Sequence, residues 1–538
     1  MPTHADGTQA PGAVPGLART LSFGQLTASG VGIIIGAGIY VLLGTATAEA
    51  GAGVWLSFLV AGALSALTAL SYAELASMYP NAGAEYDYTR RVAPAWVAFT
   101  IGWVMILGLV IAAAAVSLGF ASYLRYFFGV PQRLGAWMLL AFVAAVALAG
   151  IQQSARLTVV LSTIQVVGLL VIVAIGVPHI GEHSLIAGSS TSGVVTASAL
   201  VFFAFVGFDE VITLAEETVD PARTVPRALL TALGVSTALY IGVAIAGVSV
   251  LGPAALGASE QPLADVMAAA IGSRSAGVVA VVAMLATTNT ALLAITASSR
   301  LQYGMADTGA LPEVFGRISR RRAPWVAVVL AVAVAAGFVG IGDLSLVASI
   351  TDFSVYVVFI AVNMTVILLR FWQPKRRRPF AIKGSVGRVP VAPALAMATI
   401  AVLVVFLEPT AIALGLTVTA TGAVIALVRN HLSPAPAPAA PTKGTSMTPR
   451  TNITAAEAAD VAKTLRIDFA AVEFDLDQFQ QGMRVELEHG RGDPDTNVTN
   501  DDLVTTGKIA LAHLNEFPDY YTRLAEMEAL AHRERDGR

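Results

Sequence analysis

From residue 22 onward the chain is a series of apolar runs separated by short polar connections, at 22–48, 52–73, 94–124, 134–151, 157–178, 194–217, 227–251, 263–298, 324–342, 345–369, 389–407 and 410–428. An α-helix crossing a bilayer needs about 20 consecutive apolar residues, so the pattern predicts an all-α polytopic membrane protein with twelve transmembrane helices. The connections are basic on alternate sides. With the N-terminus inside, 19 Lys and Arg residues fall on the cytoplasmic side and only Arg125, Arg133 and Arg274 on the other. That asymmetry predicts a multi-pass protein of the plasma (bacterial inner) membrane with both termini cytoplasmic. It also supports the count, because one misplaced span would scramble the alternation.

After Arg429 the apolar pattern stops, and Ser433 to Lys443 reads SPAPAPAAPTK, a composition that favours extended polyproline conformation. Residues 431–450 are therefore expected to link a bundle at 19–430 to a small α-helical cytosolic module at 451–538. In that module Thr454 and Glu457 have capping-box spacing ahead of the helical pattern Val461, Leu465. Further helices are predicted over Leu476 to His489, over Leu503 to Asn515 and after Tyr520. Residues 1–18 form a polar Ala/Gly/Pro/Thr stretch, expected to be a disordered cytosolic arm without the basic start of a secretory signal.

Composition sharpens this division. The 538 residues are 56% hydrophobic and 13% charged, with mean hydropathy +0.71, against roughly 25% charged in soluble domains. Up to Arg429 the basic residues outnumber the acidic ones 22 to 18, and beyond it the acidic ones lead 18 to 11. The module is thus acidic, and the net charge of −3 conceals two unlike parts. The absence of Cys excludes disulfides, thiolate nucleophiles and Cys-ligated metal. No cofactor, covalent chemistry or nucleic-acid partner is expected; the partners implied are the lipid bilayer and a small molecule.

Two runs are interrupted in ways a plain anchor would avoid. The first carries Gly30, Gly32, Gly36 and Gly38, and the sixth carries Gly207 followed by Asp209 and Glu210. Glycine lets backbone approach a ligand closely, and a broken helix at membrane depth is tolerated where it lines a cavity or is covered by protein. Close helix packing through Gly32 and Gly36 is the competing explanation. Interruptions five spans apart point to a transporter site built from an inverted five-helix repeat. Asp209 and Glu210 are costly at that depth and so are candidates for ion coupling, for capping the broken helix or for pairing with a basic residue. Glu216 and Glu217, near Arg223 and Arg227, read as a gating or structural salt bridge.

Ile35-Gly-Ala-Gly-Ile39, Phe202 to Glu217 with Asp220-Pro221 and Val225-Pro226-Arg227-Ala228, and Ser299 to Pro312 together resemble the amino acid–polyamine–organocation permeases. The resemblance spans roughly residues 17–430 and is closest to the bacterial relatives of the cationic amino acid transporters. It implies a LeuT-like fold, a 5+5 inverted repeat with two extra helices. It implies secondary transport of an amino acid, which a cationic one would fit, or of a related amine by alternating access. It further implies that the amides of Ala37 and Gly38, with Gly36 beside them, receive the substrate carboxylate. The carbonyl of Ile34 and those of Phe203, Ala204 and Val206 would receive the ammonium, with the Phe203 ring as a gate. A half-helix N-terminus and unwound carbonyls suit a zwitterion on physical grounds alone, and a side chain at Gly38 is expected to fill the carboxylate's place.

One departure concerns coupling. Proton-coupled relatives carry a Lys midway along the fifth helix, where this chain has Gln165, about 13 Å along the helix from Arg156. A neutral amide cannot cycle a proton. Coupling could run through Asp209 or Glu210, could use sodium near Thr287, Thr288 and Thr290, or could be absent, as in an exchanger. Those threonines could equally bond their own helix carbonyls.

Three remaining signals are weaker. His179-Ile-Gly-Glu182-His183 matches a metalloprotease string but falls in a short connection beside Pro178. Asn452-Ile-Thr454 and Asn497-Val-Thr499 are glycosylation strings on a segment expected to be cytosolic. In the module, Glu486 with His489 and His513 with Glu516 have the i, i+3 spacing of carboxylate-bridged metal bundles, although interior histidines held by neighbouring carboxylates would show the same spacing. The module resembles a small bacterial domain family of no established function. Two other readings stay open: a membrane-bound amino acid sensor signalling through the module, and a metal-binding module merely tethered to the membrane.

Overall fold

The computed structural model describes residues 21–79, 84–149, 155–213, 218–319, 323–432, 452–465, 467–469, 472–489 and 502–536. They fall into two compact units, one within 17–435 and one within 436–538. The larger unit begins with α1 (Phe23–Ile34), α2 (Gly38–Ala50), α3 (Val54–Met78), α4 (Ala84–Arg90), α5 (Ala95–Phe128), α6 (Gln132–Leu148), α7 (Ala155–Gly176), α8 (Thr191–Val201) and α9 (Glu210–Thr213). It continues with α10 (Pro221–Gly257), α11 (Pro262–Ile271), α12 (Ser273–Asp307), α13 (Trp325–Val339), α14 (Leu344–Trp372), a small hairpin of β1 (Ser385–Val386) and β2 (Val389–Pro390), α15 (Val391–Val405) and α16 (Pro409–Leu432). Among the described residues, eight helical stretches are long and apolar enough to cross a membrane, and five shorter apolar helices accompany them. The chain is a multi-pass membrane protein.

The long helix α5 is the centre of the bundle: α12, α14, α6, α16 and α13 all pack on it. Both interrupted runs are broken. The first helix starts at a Ser22/Gln25 capping box and stops at Ile35, whose ψ of 74° leaves the helical region, before α2 restarts at Gly38. The sixth run passes from α8 through a 3-10 turn at Phe202–Phe205 to Gly207, at φ +106°, and then to α9. The apolar run expected over 263–298 is divided instead: Gly272, at φ 120°, separates the short α11 from α12. An L side chain resists that backbone angle, so a continuous apolar pattern hides a corner.

One buried carboxylate ties two helix ends together. Glu74 of α3 accepts from Arg370 Nε of α14 at 3.0 Å and from the Ile382 amide at 2.8 Å, and Arg378 lies 3.1 Å away. Such a group is tolerable at low exposure because its lone pairs are filled.

The smaller unit consists of α17 (Ala455–Thr464), α18 (Leu476–Glu486), α19 (Leu503–Glu516) and α20 (Tyr520–Asp536). The capping box forms, with Glu457 N–H on Thr454 Oγ1 at 3.3 Å and Thr454 N–H on Glu457 Oε2 at 3.0 Å. Phe479, Met483, Ala510, Leu514 and Tyr521 are buried in a core of its own.

Candidate functional site

The two helix breaks meet. A Cβ on Gly38 would lie 2.5 Å from Ala204 Cα and 2.7 Å from its Cβ, so the first residue of α2 rests on the backbone of the 3-10 turn. Only glycine permits that approach. Tyr240 of α10 joins the same two segments, its hydroxyl lying 2.8 Å from the Ile34 carbonyl and 3.0 Å from the Ala204 carbonyl. A phenol has one proton to donate, so the pair of carbonyls keeps acceptor capacity for another donor.

Each glycine of the first break has a separate partner. Gly32 packs on Ser162 of α7, and a Cβ at Gly36 would stand 2.9 Å from Thr290 Oγ1 of α12. The Ala37 amide donates to that same hydroxyl at 3.1 Å, and the Gly36 amide donates to the Ile34 carbonyl at 2.8 Å. Both packing and an unwound backbone are therefore present at one place. In the second break the Phe203 carbonyl accepts from the Val206 amide at 3.2 Å, and Phe203 itself is buried. The amides of the first turn of α2 lack helical acceptors by the geometry of any helix start.

Thr287, Thr288 and Thr290 donate to the carbonyls of Ala283, Met284 and Ala286 at 2.8, 2.7 and 3.0 Å, the local bonding that competes with a sodium site. Gln165 is buried beside the first break, its carbonyl accepting from Tyr40 Oη at 3.0 Å, while both atoms of its side-chain amide lack a hydrogen-bond partner among the described residues.

Asp209 is buried at the second break, and Glu210 lies within electrostatic reach of Arg300. The structure adds a third carboxylate that sequence reasoning missed. Glu85 of the short helix α4, outside the apolar spans, accepts from Tyr72 Oη at 2.9 Å and feels the charge of Asp209. Burial first, and then Asp209, push its carboxyl up to about 8. Its neighbours Asp87, Arg90 and Arg91 make α4 read as a solvated connection, so nothing local marks Glu85 as interior. Tyr240 was equally unmarked, being one aromatic in a long apolar run. Glu216 and Glu217 lie outside the described residues.

In the smaller unit, Glu486 accepts from Tyr521 Oη at 2.9 Å, with His513 Nε2 at 3.7 Å, and His513 stacks on Tyr520 at 4.6 Å between ring centres. Glu516 is exposed, and the His489 side chain lies outside the described residues. In the larger unit His179 Nδ1 and Glu182 Oε1 are 3.0 Å apart, whereas the His183 ring lies against Gly252. No cluster of three His, Asp or Glu suited to a metal occurs among the described residues.

Comparison with known proteins bears on both units. The family model described as amino acid permease matches residues 21–428, and the model of a protein of unknown function (DUF5661) matches residues 458–530. The branched-chain amino acid permease BcaP of Bacillus subtilis is 32% identical over 405 residues, covering 71% of this chain and 86% of that protein. The methylthioribose transporter of the same organism is 31% identical over 400 residues, covering 70% and 86%. The chloroplastic cationic amino acid transporter 9 of Arabidopsis thaliana is 33% identical over 328 residues, covering 56% and 58%.

Proposed function

Because the chain belongs to the amino acid permease family, whose relatives are transporters rather than enzymes, we propose that it carries an amino acid or related amine across the membrane by alternating access. In this reading there are twelve spans, with α1–α2 and α8–α9 each counted as one broken span and α4 and α11 lying between spans. Spans one to five and six to ten are then inverted repeats, and α15 and α16 are additions. The positive-inside bias puts both termini in the cytoplasm.

The observation that carries this reading is the junction of the breaks at Gly38 and Ala204, bridged by Tyr240. An α-carboxylate would take the amides of Ala37 and Gly38 at the positive start of α2. The Ala37 amide would then leave Thr290 for the substrate. An α-ammonium would share with Tyr240 the carbonyls of Ile34 and Ala204, with those of Phe203 and Val206 nearby. Opening and closing of that junction is the motion that alternates access.

For coupling, the buried group of Glu85, Asp209 and Glu210 offers a proton route that the neutral Gln165 does not. The threonines of α12 already bond their own carbonyls, which disfavours sodium.

The test is uptake by purified full-length protein in proteoliposomes against labelled amino acids and polyamines, with a pH gradient, a sodium gradient or neither. The expected result is accumulation of an amino acid driven by the pH gradient. Counterflow alone would mean an uncoupled exchanger, and saturable binding without flux would replace transport with sensing.

A further inference from the structure

The ends of α3 and α14 and the residue after α4 meet around one aromatic ring. Tyr79, the buried residue that ends α3, has the guanidinium carbon of Arg91 3.7 Å from its ring centre and that of Arg376 4.5 Å from it. Its hydroxyl donates to Gln373 Oε1 at 3.2 Å, and Arg376 Nη1 donates to the same oxygen at 3.3 Å. Gln373 is the residue that ends α14. The two positive charges therefore stand no farther apart than the sum of their distances from the ring.

Like charges that close repel, and the described residues supply no counter-ion. Neither arginine has an ion pair among them, and Glu74, five residues before Tyr79 on α3, is already held by Arg370 and Arg378. Lys375 and Arg377 flank Arg376, are exposed, and add charge of the same sign. Stacking occupies the flat face of a guanidinium and leaves its in-plane N–H groups for another acceptor. Arg91 directs none of them to a described residue.

The end of α14 marks the depth of this cluster. Its last two residues, Phe371 and Trp372, are exposed, and aromatic side chains at the end of a membrane helix belong at headgroup level. Basic clusters directly beyond such an end attract anionic lipid. Orientation bias needs only positive charge near a helix end. It does not need two guanidinium groups held on one ring against their own repulsion.

We propose that Arg91 and Arg376, held on Tyr79 and flanked by Lys375 and Arg377, bind the phosphate of an anionic phospholipid headgroup in the adjoining leaflet. Each guanidinium presents paired donors that match two phosphate oxygens, and a phosphate between them turns repulsion into attraction. A lipid bound there joins the ends of α3 and α14 to the residue after α4.

The experiment is native mass spectrometry of the purified full chain, titrated with phosphatidylglycerol or with phosphatidylcholine of the same acyl chains. Wild-type protein should retain the anionic lipid at least fivefold better than the zwitterionic one. The double variant Arg91→Gln, Arg376→Gln should lose that preference, whereas Lys383→Gln with Arg388→Gln, which removes the same charge from the segment after the cluster, should keep it. Tyr79→Leu leaves both charges and should weaken retention at least threefold. Equal retention of the two lipids by the wild type overturns the proposal without any variant, so a misfolded variant cannot shelter it. Equal losses in the two double variants, or undiminished retention by Tyr79→Leu, mean diffuse charge in place of a site and also overturn it. Displacement of the lipid by excess inorganic phosphate makes the site one for free anions and rejects the lipid assignment. The readout is lipid retention, so its failure leaves the transport reading standing, and absence of transport leaves this site standing.

Discussion

Glu85 illustrates how a side chain on a connection becomes an interior group. Burial and the neighbouring Asp209 raise its carboxyl from 4.5 to about 8, so the folded protein favours the protonated form more than the unfolded chain does. A raised value contributes stability that is complete below about 4.5 and is lost as the pH climbs toward 8. Thermal midpoints of detergent-solubilised protein should therefore fall between pH 5 and pH 8.5, and Glu85→Gln should flatten that fall while keeping an acceptor for the Tyr72 hydroxyl. The same pH dependence in both proteins would show that Glu85 is not the group responsible. Tyr240 makes a related point: its hydroxyl serves carbonyls 206 and 36 residues away, and no property of residue 240 alone reveals either.

At the scale of elements, the two broken helices matter more than the intact ones. The glycine-rich first run and the Gly207 interruption were both legible, because a helix tolerates few glycines unless something approaches its backbone. The occupant of Gly38 was not legible. A side chain at Gly38 would meet the backbone of Ala204, a contact between residues 166 apart that nothing near Gly38 in the chain announces. Gly38→Ala should accordingly destabilise the bundle by about 1–3 kcal/mol, the usual cost of overpacking, and reduce uptake. Gly24→Ala, which would meet nothing within 4 Å, is the control. Equal thermal midpoints and uptake for the two variants would mean that the helices separate at no cost. The corner at Gly272 was missed because hydropathy does not register a backbone angle.

At the scale of the molecule, two compact units share one chain. The smaller has its own caps and core, so residues 452–536 expressed alone should melt in one cooperative transition by circular dichroism. Phe479, fully buried there, should cost about 3–5 kcal/mol on conversion to Ala, a large share of a small domain's stability. A featureless melt of the parent fragment would refute an independent core.

What the sequence by itself determined is whatever depends on neighbours along the chain. Apolar runs decide membrane insertion, Lys and Arg at their ends bias orientation, and the capping box of Thr454 and Glu457 starts a helix because its partners are three residues apart. The three motifs between Ile35 and Pro312 identify the family for the same reason. Only the tertiary structure decided which buried groups meet: Gly38 with Ala204, Tyr240 with the carbonyls of Ile34 and Ala204, and Glu74 with Arg370. Those contacts join residues far apart in the chain, and the free energy of a buried charge is set by what surrounds it in space.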